Sequence, residues 1–477
     1  MIRPFLTLLL IAATLPLHAK VGEWRTLRDE QGNALMVRFE GIQDDRYLLR
    51  RQKDGRLFEV APGLLPDGER TRFEKEASDL NRELEMLRKT VGKPLFAGTP
   101  FEVRDASEIA KSLGLRPESK TKHSTSWRLY ADSTYRLFGA RPYSVALYAD
   151  ASGHPTNLSA VFANKGDFGS TAGQGEEHFT GGTEATIKSL AAAMERDEQA
   201  IEKAISSALG EAETQRYGEG KSRRTVKRWD WNGHSLLLSS EENEYVSLSI
   251  VPLELAEAGG KTAKVRDSEI KQRLAADVTR DPNGDVYLSQ VPMVNQGPKG
   301  YCVPATFERA MRTMGITADM YLLAMVGETS IGGGTSVQKL LENVRSQVYR
   351  KGRRPKDEKV KRLRIRDVKK YIDDGVPVMW TMRSLNEYNS VATKNTQRRK
   401  KVTDWSDWAA TIAEETAELV ESEQVQANHH ICMIVGYNEA TGELAVSDSW
   451  GPSYERRWVP LGLANWVSQG GLFMILP

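Results

Sequence analysis

Residues 295–307, Asn-Gln-Gly-Pro-Lys-Gly-Tyr-Cys-Val-Pro-Ala-Thr-Phe, put a cysteine where a glycine-rich loop runs into a helix. Pro304 suits the first turn, where helix N–H groups lack partners and proline loses nothing. Ala305, Ala310, Met311 and Met314 continue as an apolar stripe at helical spacing. A thiol at a helix N-terminus feels the positive end of the dipole, which favours the reactive thiolate. Cys302 is therefore the candidate nucleophile.

Its candidate partners lie far downstream. In residues 428–437, Asn-His-His-Ile-Cys-Met-Ile-Val-Gly-Tyr, an apolar strand follows a histidine pair. Residues 444–451, Leu-Ala-Val-Ser-Asp-Ser-Trp-Gly, read as a second strand ending in an acid, a tryptophan and a glycine. The segment 438–442 between them has hairpin-loop composition, so Asp448 returns towards His430.

This set resembles a papain-like cysteine peptidase. Gln296 stands six positions before Cys302, as the oxyanion-hole glutamine does in that superfamily. His430 and its apolar run into Gly436-Tyr437 are similar to the family's histidine strand. Asp448-Ser449-Trp450-Gly451 resembles Asn-Ser-Trp-Gly, with the Asp usual in the bacteriocin-leader peptidases of the same superfamily. Residues 290–297 resemble their leading strand. The resemblance implies that Cys302 attacks a carbonyl carbon and that His430 exchanges the proton. It implies that Asp448 orients the imidazole, that Gln296 completes the oxyanion hole, and that Trp450 covers the His430–Asp448 pair. Papain-like enzymes also hold extended substrate on a glycine pair before a helix. Gly333 and Gly334 stand in such a place, although a plain turn before an N-cap at Thr335 or Ser336 explains them equally. His429 points to the opposite strand face and reads as structural. Cys432 reads as a small core residue, with a silencing disulfide to Cys302 as the alternative.

The chain has 477 residues, enough for about three domains. A net charge of +2 gives no global field for nucleic acid or membrane. Two cysteines cannot build a disulfide scaffold. Residues 1–19, with Arg3, an apolar core and Leu17-His18-Ala19, read as a secretory signal. The product is expected to be secreted or periplasmic, with no transmembrane segment after cleavage.

The expected fold class is α+β and multidomain. Residues 20–75 resemble the small SH3-like β-barrel of Sla-one homology domains, either as a cell-wall or protein-ligand module or as a structural cap. Residues 76–97 read as a connector helix with Leu80, Leu84, Leu87 and Val91 as its seam. Residues 98–256 read as an α+β module of unknown role, with a Gly/Ser/Thr-rich loop at 169–182. Its Asn232-Gly233 predicts a hairpin, and Trp229 and Trp231 offer aromatic packing or a carbohydrate platform. His154, His178 and His234 lack metal-ligand spacing. Residues 257–285 read as a linker, and 286–477 as the papain-like fold, a helical half plus an antiparallel β half. Residues 384–426 read as an insertion with the basic run 398–401; it is a polyanion face, solvated charge or an overhang on the cleft.

The function expected is an exported thiol peptidase acting on peptide or protein substrates. The alternatives are an amidase or transpeptidase-type acyl transferase on cell-wall or protein amines, and a catalytically silent binding protein. No cofactor, metal or nucleic acid is implied.

Overall fold

The computed structural model describes residues 23–28, 34–168, 187–298, 300–421 and 428–477. The signal segment, the loop at 169–182 and His178 lie outside the described residues. The chain divides into two units, Met1–Glu83 and Leu84–Pro477.

In the first unit, β1 (Arg25–Arg28), β2 (Ala34–Gln43), β3 (Arg46–Arg51) and β4 (Leu57–Val60) form an antiparallel meander in chain order. Asp44 and Asp45, both at positive φ (48° and 60°), turn β2 into β3. Among the described residues β1 and β4 do not pair, so the expected SH3-like barrel is here an open sheet. Helix α1 (Asp67–Val91) covers the sheet instead, with Phe73 packing on Phe39 and Tyr47. This helix starts nine residues before the expected connector and stops at Val91, before Gly92 at φ +75°. Its seam residues Leu80, Leu84, Leu87 and Val91 are all buried.

The second unit begins with α2 (Ala106–Leu113), β5 (Arg116–Lys120), β6 (Ser124–Tyr130), β7 (Ser144–Asp150) and β8 (Pro155–Asn164). It continues through α3 (Ile187–Leu209), β9 (Glu213–Tyr217), β10 (Arg224–Trp231), β11 (His234–Glu241), β12 (Tyr245–Pro252) and α4 (Leu253–Glu257). These strands form one antiparallel sheet, ordered β5-β6-β7-β8-β12-β11-β10-β9, with α3 packed across β8, β10, β11 and β12. Asn232 and Gly233 both take positive φ and close the β10–β11 hairpin as their dipeptide predicts. Trp229 and Trp231 are 3% and 4% exposed, so they pack and offer no platform. His234 is buried and stacks on Phe96; burial, which disfavours the charged ring, lowers its pKa to about 4.

The rest of the chain starts with α5 (Asp267–Ala276), β13 (Val278–Arg280) and β14 (Asp285–Leu288). Next come α6 (Cys302–Thr313), α7 (Met320–Val326), α8 (Val337–Arg350), β15 (Arg354–Lys359), α9 (Ile365–Ile372) and β16 (Val378–Ser384). Then follow α10 (Asn386–Arg399), α11 (Trp405–Val420), β17 (Asn428–Asn438), β18 (Glu443–Ser447), β19 (Arg457–Pro460), α12 (Leu461–Val467) and β20 (Ser468–Leu476). The stretch 257–285 is more than a spacer: Ile270 and Leu274 of α5 join the apolar core, and β13–β14 extend the sheet. That antiparallel sheet runs β13-β14-β17-β16-β20-β15, with β18 on β17 and β19 on β18. The buried run of β17 makes it the central strand, and α6 lies against it. The architecture is mixed α/β, a layer of helices against an antiparallel sheet. Among the described residues no helix is long and apolar enough to cross a membrane.

Candidate active site

Cys302 is the first residue of α6, a helix whose residues 303–311 are all buried. Its sulfur lies half-buried at the helix tip and is hydrogen-bonded to His430. The neighbouring backbone N–H groups of Val303 and Ile431 also favour the thiolate. His430 sits near the start of β17, and its Nε2 lies 3.0 Å from Asp448 Oδ1. The other ring nitrogen, Nδ1, is thus left for the sulfur. Asp448 follows the end of β18, which pairs with β17 and brings it back across the hairpin loop. Trp450 stacks on His430, ring centres 4.8 Å apart and 24° from parallel.

Burial acts against every charge in this chain of groups, and the partners outweigh it. Burial pushes the Cys302 thiol up, but the His430 bond and charge bring it below its ordinary value. Burial pulls His430 down; the bonds to Asp448 and Cys302 raise it to about 9. Asp448 is held below the usual carboxylate range against its burial, by His430 and by the Arg457 guanidinium. The arrangement favours a resting thiolate–imidazolium pair.

Gln296 is buried, and its backbone N–H donates to Ser449 O at 2.8 Å. That bond ties the loop before Cys302 to the residue after Asp448. The glycine pair lies against the same loop. Gly333 and Gly334 sit at φ +99° and +91°, and Gly334 N donates to Gly300 O at 3.1 Å. A Cβ on Gly300 would come within 2.9 Å of Gly334 N, so both backbones must be bare. The N–H of Gly333 is bonded to Ser330 O, and the N-cap is Ser336.

Two residues at this site carry no motif. Arg309, seven positions after Cys302 on α6, is wholly buried. It donates to Pro292 O at 2.9 Å, and to Ser447 O and Ser449 Oγ at 3.2 and 3.3 Å. One guanidinium thus joins the nucleophile helix, the leading segment and the end of β18. Nothing in the sequence sets Arg309 apart from Arg312 on the same helix. Arg457 on β19 donates to Asp448 Oδ2 at 2.6 Å and to Asn389 Oδ1 at 3.0 Å. Both carboxylate oxygens of Asp448 are therefore held, one by each cation. Asn389 belongs to α10, so the insertion braces the acid from behind.

The remaining sequence candidates fall elsewhere. Cys432 is a free thiol in the core, donating to Met382 Sδ at 3.6 Å, and no disulfide to Cys302 exists. His429 is exposed and lies 2.6 Å from Gln469 Nε2. Arg399, from the basic run, turns inward to Asp285 (2.7 and 2.8 Å) and Glu443 (2.9 Å). Arg353 is also buried and bonds Asp267 and three backbone carbonyls. A cavity of about 520 Å³, lined by Tyr148, Ser159, Ser247, Ser249, Arg224 and Arg312, lies towards the C-terminal end of α6, away from the sulfur. Among the described residues no group of His, Cys, Asp and Glu gathers as metal ligands would.

No curated protein matches the chain. Residues 288–471 match the Peptidase_C39 like family, which supports the papain-like cysteine peptidase superfamily for this stretch of the chain.

Proposed function

We propose that the protein is a thiol peptidase that hydrolyses peptide bonds through Cys302, His430 and Asp448. The supporting observation is the unbroken chain of hydrogen bonds from the Cys302 sulfur through His430 to Asp448. The thiolate attacks the scissile carbonyl carbon, and the oxyanion forms beside the Gln296 side chain and the Cys302 N–H. Such a donor typically lowers the barrier by about 3 kcal/mol. His430, protonated at rest, gives its proton to the leaving amine, and a Cys302 thioester remains. His430 then takes a proton from water, hydroxide character adds to the thioester carbon, and the carboxylic product leaves the regenerated thiolate. Asp448 keeps the imidazole oriented and supports its charge. Trp450 screens the His430–Asp448 bond from water, and Gly333 and Gly334 form the wall against which extended substrate lies. Residues 1–19 direct export, so the substrates are extracytoplasmic peptides or proteins.

The test is incubation of wild type and Cys302→Ala with a proteome-derived peptide mixture, read by mass spectrometry. Wild type yields new termini, Cys302→Ala yields none, and iodoacetamide labels Cys302 under reducing conditions. An unlabelled Cys302 in folded protein would sink the reading. Amide products in the presence of added amine, in place of acids, would move it to acyl transfer.

A further inference from the structure

The family match begins at residue 288, yet the loop that carries Gln296 and leads to Cys302 is fastened from outside it. The described residues of 290–301 form neither helix nor strand, so no ladder of their own fixes them. Three of their fixings come from the eight-stranded sheet that holds β5 to β12. Ser119 Oγ on β5 accepts from Met293 N at 3.0 Å, and Glu118 Oε1, also on β5, accepts from Asn295 N at 2.8 Å. Glu118 is itself held by Arg128 and Ser126. Tyr130, the last residue of β6, donates its hydroxyl to Asn295 O at 2.6 Å. Its ring lies against Gly297, so closely that a Cβ there would strike it.

The other end of the loop is held as firmly. Tyr301, directly before Cys302, is 1% exposed. Its hydroxyl donates to Asn164 Oδ1 at 2.6 Å, at the end of β8, and Asp167 Oδ2 lies 3.3 Å away. Lys165 O accepts from Gly332 N at 3.3 Å, so the glycine loop is tied to the same segment. Tyr143, just before β7, and Val161 of β8 share one apolar cluster with Val294, Tyr301 and Ala305.

We propose that the eight-stranded sheet is a positioning platform for the oxyanion-hole loop. Tyr130, Glu118 and Ser119 hold the Gln296 side, and Asn164 and Asp167 hold the Cys302 side. This rests on the reading of Cys302 as a peptidase nucleophile and gives residues 98–256 a role in catalysis. The physical reason is the tolerance of oxyanion stabilisation. Its donors act only if they are aimed beforehand, and displacements on the order of 1 Å remove much of their effect. Formation of the thiolate is a separate matter, since His430 and Asp448 reach Cys302 from β17 and β18. The platform is thus expected to govern kcat without governing the thiol. Tyr130 is a positioning residue, because it touches the loop and not the reacting atoms.

The test uses the full chain with Tyr130→Phe, which keeps the ring on Gly297, and Tyr130→Ala, which removes ring and hydroxyl. Active thiol is titrated with iodoacetamide, and kcat per titrated thiol is measured on a peptide that wild type cleaves. Tyr130→Ala is expected to lower kcat per thiol by about 100-fold, the loss typical of one misplaced oxyanion donor. Tyr130→Phe falls between it and wild type. KM stays within about twofold, and the pH profile of alkylation matches wild type, because neither depends on the oxyanion. A purely structural role would lower the yield of active thiol and leave kcat per thiol unchanged, which overturns the proposal. So does an alkylation profile that moves together with kcat. If Tyr130→Ala does not fold, the Phe variant decides alone. A wild type that cleaves nothing ends the peptidase reading and the platform with it. Wild-type cleavage with unaltered variants ends the platform only.

Discussion

The His430 proton is the quantity on which the chemistry turns. Its pKa is raised to about 9 because burial, which opposes the charge, is outweighed by Asp448 and the Cys302 sulfur. Peptide hydrolysis is expected to hold up to about pH 8 and then fall about tenfold per unit beyond about 9, as the leaving amine loses its proton donor. Alkylation by iodoacetamide, which needs only the thiolate, persists there, so the two rates part company above pH 9. The same shift is a statement about stability. A folded value above the ordinary 6.5 means that His430 stabilises the fold fully below about pH 6.5 and that this is lost as pH rises through about 9. Denaturant midpoints measured across that window check the sign. The meeting of Cys302, His430 and Asp448 was legible in the sequence because each position of the resembled motif admits few residue types in a set order. Arg457 and Arg309 were not. A buried arginine on a strand or helix looks like any charged surface position until the tertiary fold supplies Asp448 or Ser447 as its partner.

The insertion helix α10 shows the same limit one level up. Its basic run admitted a polyanion reading, yet Arg399 is folded inward between Asp285 on β14 and Glu443 on β18. Trp408 of α11 adds a hydrogen bond to Glu443 at 3.1 Å. Arg399→Met would leave two carboxylates buried without a cation and is expected to destabilise the protein by about 3–5 kcal/mol, read as a lower urea midpoint. Arg399→Lys would recover only part, since a point charge cannot replace a fork that serves three oxygens. Hairpins with strong turn chemistry, such as Asn232-Gly233, were readable at the level of elements. The β13–β14 hairpin was not, because strands of three and four residues leave almost no alternating signal. The barrel expected at 20–75 is not confirmed for a related reason: closure depends on pairing between its ends, which local composition does not report.

Residues 84–477 form one compact unit, although the family match covers only its C-terminal part. The shared cluster of Tyr143, Val161, Val294 and Tyr301 and the buried bond from Tyr148 to Glu308 on α6 (3.1 Å) cross from one sheet to the other region. Calorimetry of the full chain is expected to give one transition for this unit and a separate one for the first. Trp231→Ala, deep in the eight-stranded sheet, would lower by several degrees the temperature at which Cys302 loses its activated alkylation rate. Independent melting of the two parts would contradict that coupling.

The seclusion of Cys432 bears on how such a protein ages in air. A sulfenic acid at a reactive cysteine is ordinarily caught by a neighbouring thiol before it oxidises further. The chain's other thiol is sealed against Met382 inside the core. Peroxide therefore meets a nucleophile with no resolving companion, and its rescue falls to whatever reductant the surroundings provide.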